Sequence, residues 1–82
     1  MQQRTPEDTK VMLEAIARET RRLVDTWGGV DYDWAIGVVA RANNHRYNRT
    51  EVRFGISEAV KNGYLDIKTL PGDLSKSIHP GA

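Results

Sequence analysis

The 82-residue chain reads as a single α+β domain, mostly α, in which a three-helix bundle is followed by a β-hairpin. Three observations predict this. Apolar residues recur at helical spacing in three successive segments, each closed by Gly or Asn. After Asn62-Gly63 the apolar period changes from 3.6 to 2. Between two short runs of that second kind stands Leu70-Pro71-Gly72-Asp73, with Pro and Gly placed as a type II turn needs them. The reading gives one domain over residues 6–79, with tails at 1–5 and 80–82.

The first helix is "TPEDTKVMLEAIARETRRLVDTWGG". Thr5 suits the N-cap and Pro6 the first helical position. Glu7 and Asp8 complement the positive end of the helix dipole. Leu13, Ile16, Thr20, Leu23 and Trp27 form one apolar stripe, which core packing explains, and Gly28-Gly29 end the helix. Val11, Met12 and Val24 widen the apolar surface, which also admits a dimer seam through Leu13, Ile16, Leu23 and Trp27.

The second helix is "VDYDWAIGVVARANN", capped by Asp31 or Asp33 and ended by Asn43-Asn44. It is apolar on most sides, so it belongs between other elements, and Trp34 is expected in the core together with Trp27. Val30 is open to a bridge with a later strand. The third helix is "NRTEVRFGISEAVKNG". Asn48 and Glu51 have the spacing of a capping box, with Asn in place of the usual Ser or Thr. Val52, Ile56, Ala59 and Val60 share its core face, and Gly63 is free to turn left-handed at its end. In the hairpin, Leu65 and Ile67 alternate with polar residues, and Leu74 and Ile78 face the same side on the return. "HPGA" reads as a frayed tail.

Composition limits the function classes. Hydrophobic residues make up 39% and charged residues 28%, as in an ordinary globular chain. There is no Cys, hence no disulfide and no thiolate metal site. The first ten residues have no apolar signal core, and no apolar run approaches membrane-spanning length, so the expected location is cytoplasmic. His45 and His79 are the only histidines and lie in a turn and a tail, with no carboxylates at a metal-ligand spacing. No nucleophile–base pattern and no phosphate loop is present, and "WGGVD" is a helix stop. The expectation is a protein with no enzymatic activity and no cofactor.

Net charge is only +1, but the charges are unevenly placed. Arg41, Arg46, Arg49 and Arg53, with His45, meet one acid, Glu51, while residues 7–33 hold Glu7, Asp8, Glu14, Glu19, Asp25, Asp31 and Asp33. Arginine at a helix N-terminus opposes the dipole, so its gathering there asks for an external partner.

Three helices, the last running through "NGYLDI" at once into a hairpin, resemble the winged-helix (winged helix-turn-helix) DNA-binding superfamily, in its small stand-alone form carried by phages and mobile elements. The resemblance covers the whole chain in element order. It implies that the third helix enters the major groove of double-stranded DNA with its N-terminal part toward the bases. Its outward face would then be Thr50, Arg53, Phe54, Ser57 and Lys61, with Arg46, Tyr47, Asn48 and Arg49 at the front. Arg pairs with guanine and Asn with adenine, and Phe54 meets a thymine methyl. Arg41, Arg46 and the helix N-terminus suit phosphates, and Lys68 and Lys76 reach a neighbouring phosphate from the wing. Tyr47 is expected to pack locally. Phe54 either folds back onto Tyr47 or the hairpin, or stays exposed as binding surface. The implied function is that of a small transcriptional regulator, repressor or architectural factor, as a homodimer on a two-fold site. The alternative is a protein-interaction module that presents the same Arg and Phe54 face to an acidic partner.

Overall fold

The computed structural model of the chain describes residues 5–42, 46–72 and 75–81. Among them the order is α1 (Pro6–Trp27), β1 (Val30–Asp31), α2 (Tyr32–Ala42), α3 (Arg49–Lys61), β2 (Leu65–Thr69) and β3 (Lys76–Pro80). The strands form one antiparallel sheet in the order β1-β3-β2. The molecule is thus mostly helical with a small sheet, as the α+β reading expects.

Helix α1 begins as its sequence dictates. Thr5 accepts a hydrogen bond from the Asp8 N–H at 3.1 Å, and Pro6 occupies the first turn, where a missing N–H costs nothing. At its other end Gly28 takes φ 80, a conformation with a Cβ penalty for other residues, and its N–H closes on the Val24 carbonyl. The buried face is Met12, Ile16, Thr20 and Val24. This is rotated from the expected stripe: Ile16 and Thr20 belong to both, but Leu13 and Leu23 are only half-buried and Trp27 is 67% exposed. Thr20 is fully buried because its hydroxyl donates to the Ile16 carbonyl at 2.7 Å, leaving no unpaired polar group.

Helix α2 starts where Asp31 accepts from the Trp34 N–H at 3.0 Å. It buries Ala35, Ile36 and Val39 against α1, α3 and β3. Trp34 is not core, since it stands 46% exposed. The expected Asn43-Asn44 stop and His45 lie outside the described residues. Helix α3 buries Val52, Gly55, Ile56 and Ala59, with Val60 half-buried. Gly55 is the point of closest approach to α1: a Cβ there would lie 2.5 Å from Ile16 Cγ2. Asn62 caps α3 and Gly63 follows it at φ 76.

The hairpin pairs Leu65 with Pro80, Ile67 with Ile78 and Thr69 with Lys76. Leu65 and Ile78 are buried, and Gly72 in the turn takes φ 76; Asp73 and Leu74 lie outside the described residues. Val30 does bridge, since it pairs with Ile78 and places β1 on the far side of β3. The C-terminal "HPGA" segment is not the frayed tail its sequence suggests. His79 and Pro80 belong to β3, and the Gly81 N–H donates to the Tyr64 carbonyl at 3.1 Å. The core joins all six elements through Met12, Ile16, Val24, Val30, Ile36, Val39, Tyr47, Val52, Ile56, Leu65 and Ile78. Each large apolar side chain so buried contributes about 1.5–3 kcal/mol of transfer free energy.

Candidate nucleic-acid interface

The front of α3 is fixed by a reciprocal cap. Asn48 Oδ1 accepts from the Glu51 N–H at 2.8 Å, and Glu51 Oε1 accepts from the Asn48 N–H at 3.0 Å. Two backbone donors at the helix start are satisfied at once. Two consequences follow for the charge map. The one acid among the front arginines is turned back into its own helix start. The Asn48 amide oxygen is also committed, and a two-point contact to adenine needs that oxygen. Asn48 therefore frames the helix.

Tyr47 is 5% exposed and belongs to the core, which anchors the segment leading into α3. Arg46, Asn48, Arg49 and Thr50 around it are exposed. With Val52, Gly55, Ile56 and Ala59 inside, helical geometry turns Arg53, Phe54, Ser57 and Lys61 outward, and all four are exposed. Phe54 stands 48% exposed and is not folded away.

Arg41 and Arg49 converge on Gly37. Arg41 Nε donates to the Gly37 carbonyl at 3.3 Å, and a methyl group placed on Gly37 would stand 3.5 Å from Arg49 Nη1. That is ordinary contact distance, so the Arg49 guanidinium lies against α2 at Gly37. Arg53 meets the hairpin instead. It lines a groove of about 370 Å³ with Lys76 and Ser75 from the hairpin and Tyr32 and Asp33 from the start of α2. Lys76 Nζ lies 5.6 Å from the Tyr32 ring centroid, a cation–π distance that holds the ammonium beside the α3 face.

Other candidates stand apart. Lys68 is exposed on β2 opposite Ser77, so by strand alternation it faces away from the side that carries Lys76. Lys61 lies at the C-terminal end of α3, about 18 Å from Arg49 at the helical rise, and approaches Glu58 at 3.9 Å. Asp66 is exposed on the same side of β2 as Lys68.

The dimer seam expected on α1 is narrower than its sequence implies. Ile16 is fully buried, and Leu13 and Leu23 pack against the core. Trp27 alone of the four stands out. It shares a depression of about 310 Å³ with Gly29, Val30, Asp31 and Trp34.

Sequence reasoning missed two groups. Tyr32 and Asp33 enter the Arg53 groove only because β1 delivers the start of α2 to the hairpin. Arg18, Arg21 and Arg22 gather on α1 beside Tyr64, although this half of the chain reads as the acidic one. Their spacing of three and four is the signal that was available. Among the described residues no three His, Asp or Glu side chains are grouped as a metal ion needs, and no helix is long and apolar enough to cross a membrane.

Comparison of the chain with protein-family profiles, curated proteins and solved structures finds no significant match.

Proposed function

We propose that the chain is a winged-helix protein that binds double-stranded DNA sequence-specifically, with α3 in the major groove and the hairpin as a wing on the adjacent backbone. The observation that carries this reading is the groove in which Arg53 of α3 and Lys76 of β3 stand together. A recognition helix and a wing must offer charge to one duplex at once, and this groove joins the two elements. The cap at Glu51 supports it further, because one of its carboxylate oxygens is held on the Asn48 N–H at the helix start.

In this reading Arg53 and Phe54 read base edges, with Thr50 and Ser57 beside them. Arg46, Arg41, Arg49 and Lys76 hold phosphates, and Lys68 plays a lesser part. The activity is binding alone, without catalysis or cofactor, by a small cytoplasmic regulator or architectural factor. A homodimer on a two-fold site suits this class, with Trp27 as the exposed contact of α1.

A second reading rests on Phe54. A half-exposed aromatic ring beside Arg53 is also a suitable anchor for an acidic protein partner, and Asp33 in the groove weakens the basic field that DNA requires. Repeated selection from a random-sequence duplex pool separates the two. Enrichment of a short motif, lost in Arg53→Ala, supports DNA readout. A pool that stays random, with no retention above background, removes it.

A further inference from the structure

We infer that α1 carries a second phosphate-binding face, formed by Arg18, Arg22 and the Tyr64 ring, which takes the backbone of a second duplex so that one protomer bridges two DNA segments. This inference rests on the DNA reading of α3.

The face is built around Arg21. Its Nε meets Asp25 Oδ1 at 3.0 Å, its Nη1 donates to the Tyr64 carbonyl at 2.8 Å, and its guanidinium carbon lies 5.2 Å from the Tyr64 ring centroid. Arg21 thereby neutralises Asp25, the one acid in the groove, and fixes the ring. Arg18 and Arg22 are left exposed, with no partner among the described residues. They stand one helical turn apart on the same side of α1, with Cβ atoms about 5–6 Å from each other. Two guanidinium forks at that spacing can each grip a phosphate through paired N–H groups. The open groove of about 460 Å³ is lined by Arg18, Arg21, Arg22, Asp25, Thr26 and Tyr64. It holds no aliphatic side chain. A peptide has no apolar pocket in which to seat an anchor there, whereas a phosphodiester chain needs only charge and an exposed ring edge.

The position argues for a second duplex. Tyr64 follows the C-terminal end of α3, while Arg49 and Arg53 stand in its first turns. Along the helix axis Arg49 and Arg53 lie about 18 and 12 Å from Lys61, the last residue of α3. Arg18 and Arg22 are exposed and take no part in the groove of Arg53 and Lys76, so a duplex held there does not use them.

The test is a bead assay with the full chain: one duplex is immobilised, a second is fluorescent, and the retained signal reports bridging. Anisotropy on the fluorescent duplex alone reports binding to α3. Wild type is expected to retain the second duplex. Arg18→Glu with Arg22→Glu, two exposed changes checked for folding by circular dichroism, is expected to retain less than about a tenth as much while its single-duplex affinity changes by less than about threefold. Bridging that persists in this variant overturns the inference and assigns it to dimerisation. Single-duplex binding by wild type with no bridging overturns it while leaving the α3 reading intact. A labelled polyglutamate bound in preference to duplex, and lost in the variant, overturns it in favour of an acidic peptide. Absence of all duplex binding overturns both readings.

Discussion

Asn48 and Glu51 close a reciprocal hydrogen-bonded pair at the start of α3, at 2.8 and 3.0 Å. The pair does two things at once. It satisfies backbone donors that have no partner within the helix, and it holds one oxygen of the half-buried Glu51 carboxylate at the helix start. Asn48→Ala is expected to lower stability by about 1 kcal/mol, and Asn48→Asp or Asn48→Ser to preserve most of it. Urea unfolding followed by circular dichroism measures the difference. A loss below about 0.3 kcal/mol for Asn48→Ala is inconsistent with a working cap.

The packing of α1 on α3 depends on an absent side chain. With a Cβ at position 55 only 2.5 Å from Ile16 Cγ2, and 2.7 Å from Ile16 Cβ, Gly55→Ala has nowhere to place its methyl without moving a helix. The expected cost is about 1–3 kcal/mol by overpacking, even though Ala is the better helix former. The same unfolding measurement checks it. Stabilisation by Gly55→Ala would mean the helices do not approach in this way.

The tryptophans offer the opposite contrast. Trp27 is 67% exposed, so Trp27→Ala is expected to change monomer stability by no more than about 0.5 kcal/mol. A core Trp truncated to Ala would cost about 3–5 kcal/mol. If Trp27 is the dimer contact, the substitution lowers the apparent mass in analytical ultracentrifugation at high protein concentration while leaving the urea midpoint in place.

Much of the fold is legible in the sequence, for local reasons. The Thr5 and Asn48 caps, the Gly28 stop and the change of period after Gly63 each follow from chemistry within four residues. The rotation of α1 does not. Spacings of three and four admit two overlapping stripes, and choosing Leu23 and Trp27 over Met12 and Val24 follows side-chain size rather than the packing that decides it. The sequence leaves Val30 open to a bridge, but two residues carry no period that names a partner 48 residues away, so the pairing with Ile78 and the groove it creates between Tyr32, Asp33 and Arg53 are not legible before the fold is known. The exposed row on α3 follows from helical geometry, but the commitment of Asn48 to its cap and the opposed faces of Lys68 and Lys76 depend on hydrogen bonding and register.

Arg53 and Lys76 should differ in kind. If Arg53 reads a guanine, Arg53→Ala is expected to cost about 1–3 kcal/mol on the selected site and to relax specificity at one position. If Lys76 holds a phosphate, Lys76→Ala weakens all sequences alike and reduces the salt slope by about one. Competition with single-base variants of the site checks the pair. Equal loss of specificity in both would contradict this division of roles.

The central claim is that the front of α3 and the hairpin form a phosphate-binding face. The most direct measurement is fluorescence anisotropy of the full chain on a random-sequence duplex, titrated across salt. The account expects binding whose log affinity falls linearly with log salt, at a slope implying several phosphate contacts, and a shallower slope in Arg46→Ala and Lys76→Ala. No binding at low salt, or a slope unchanged in both variants, would contradict it and leave the arginine and Phe54 surface to a protein partner.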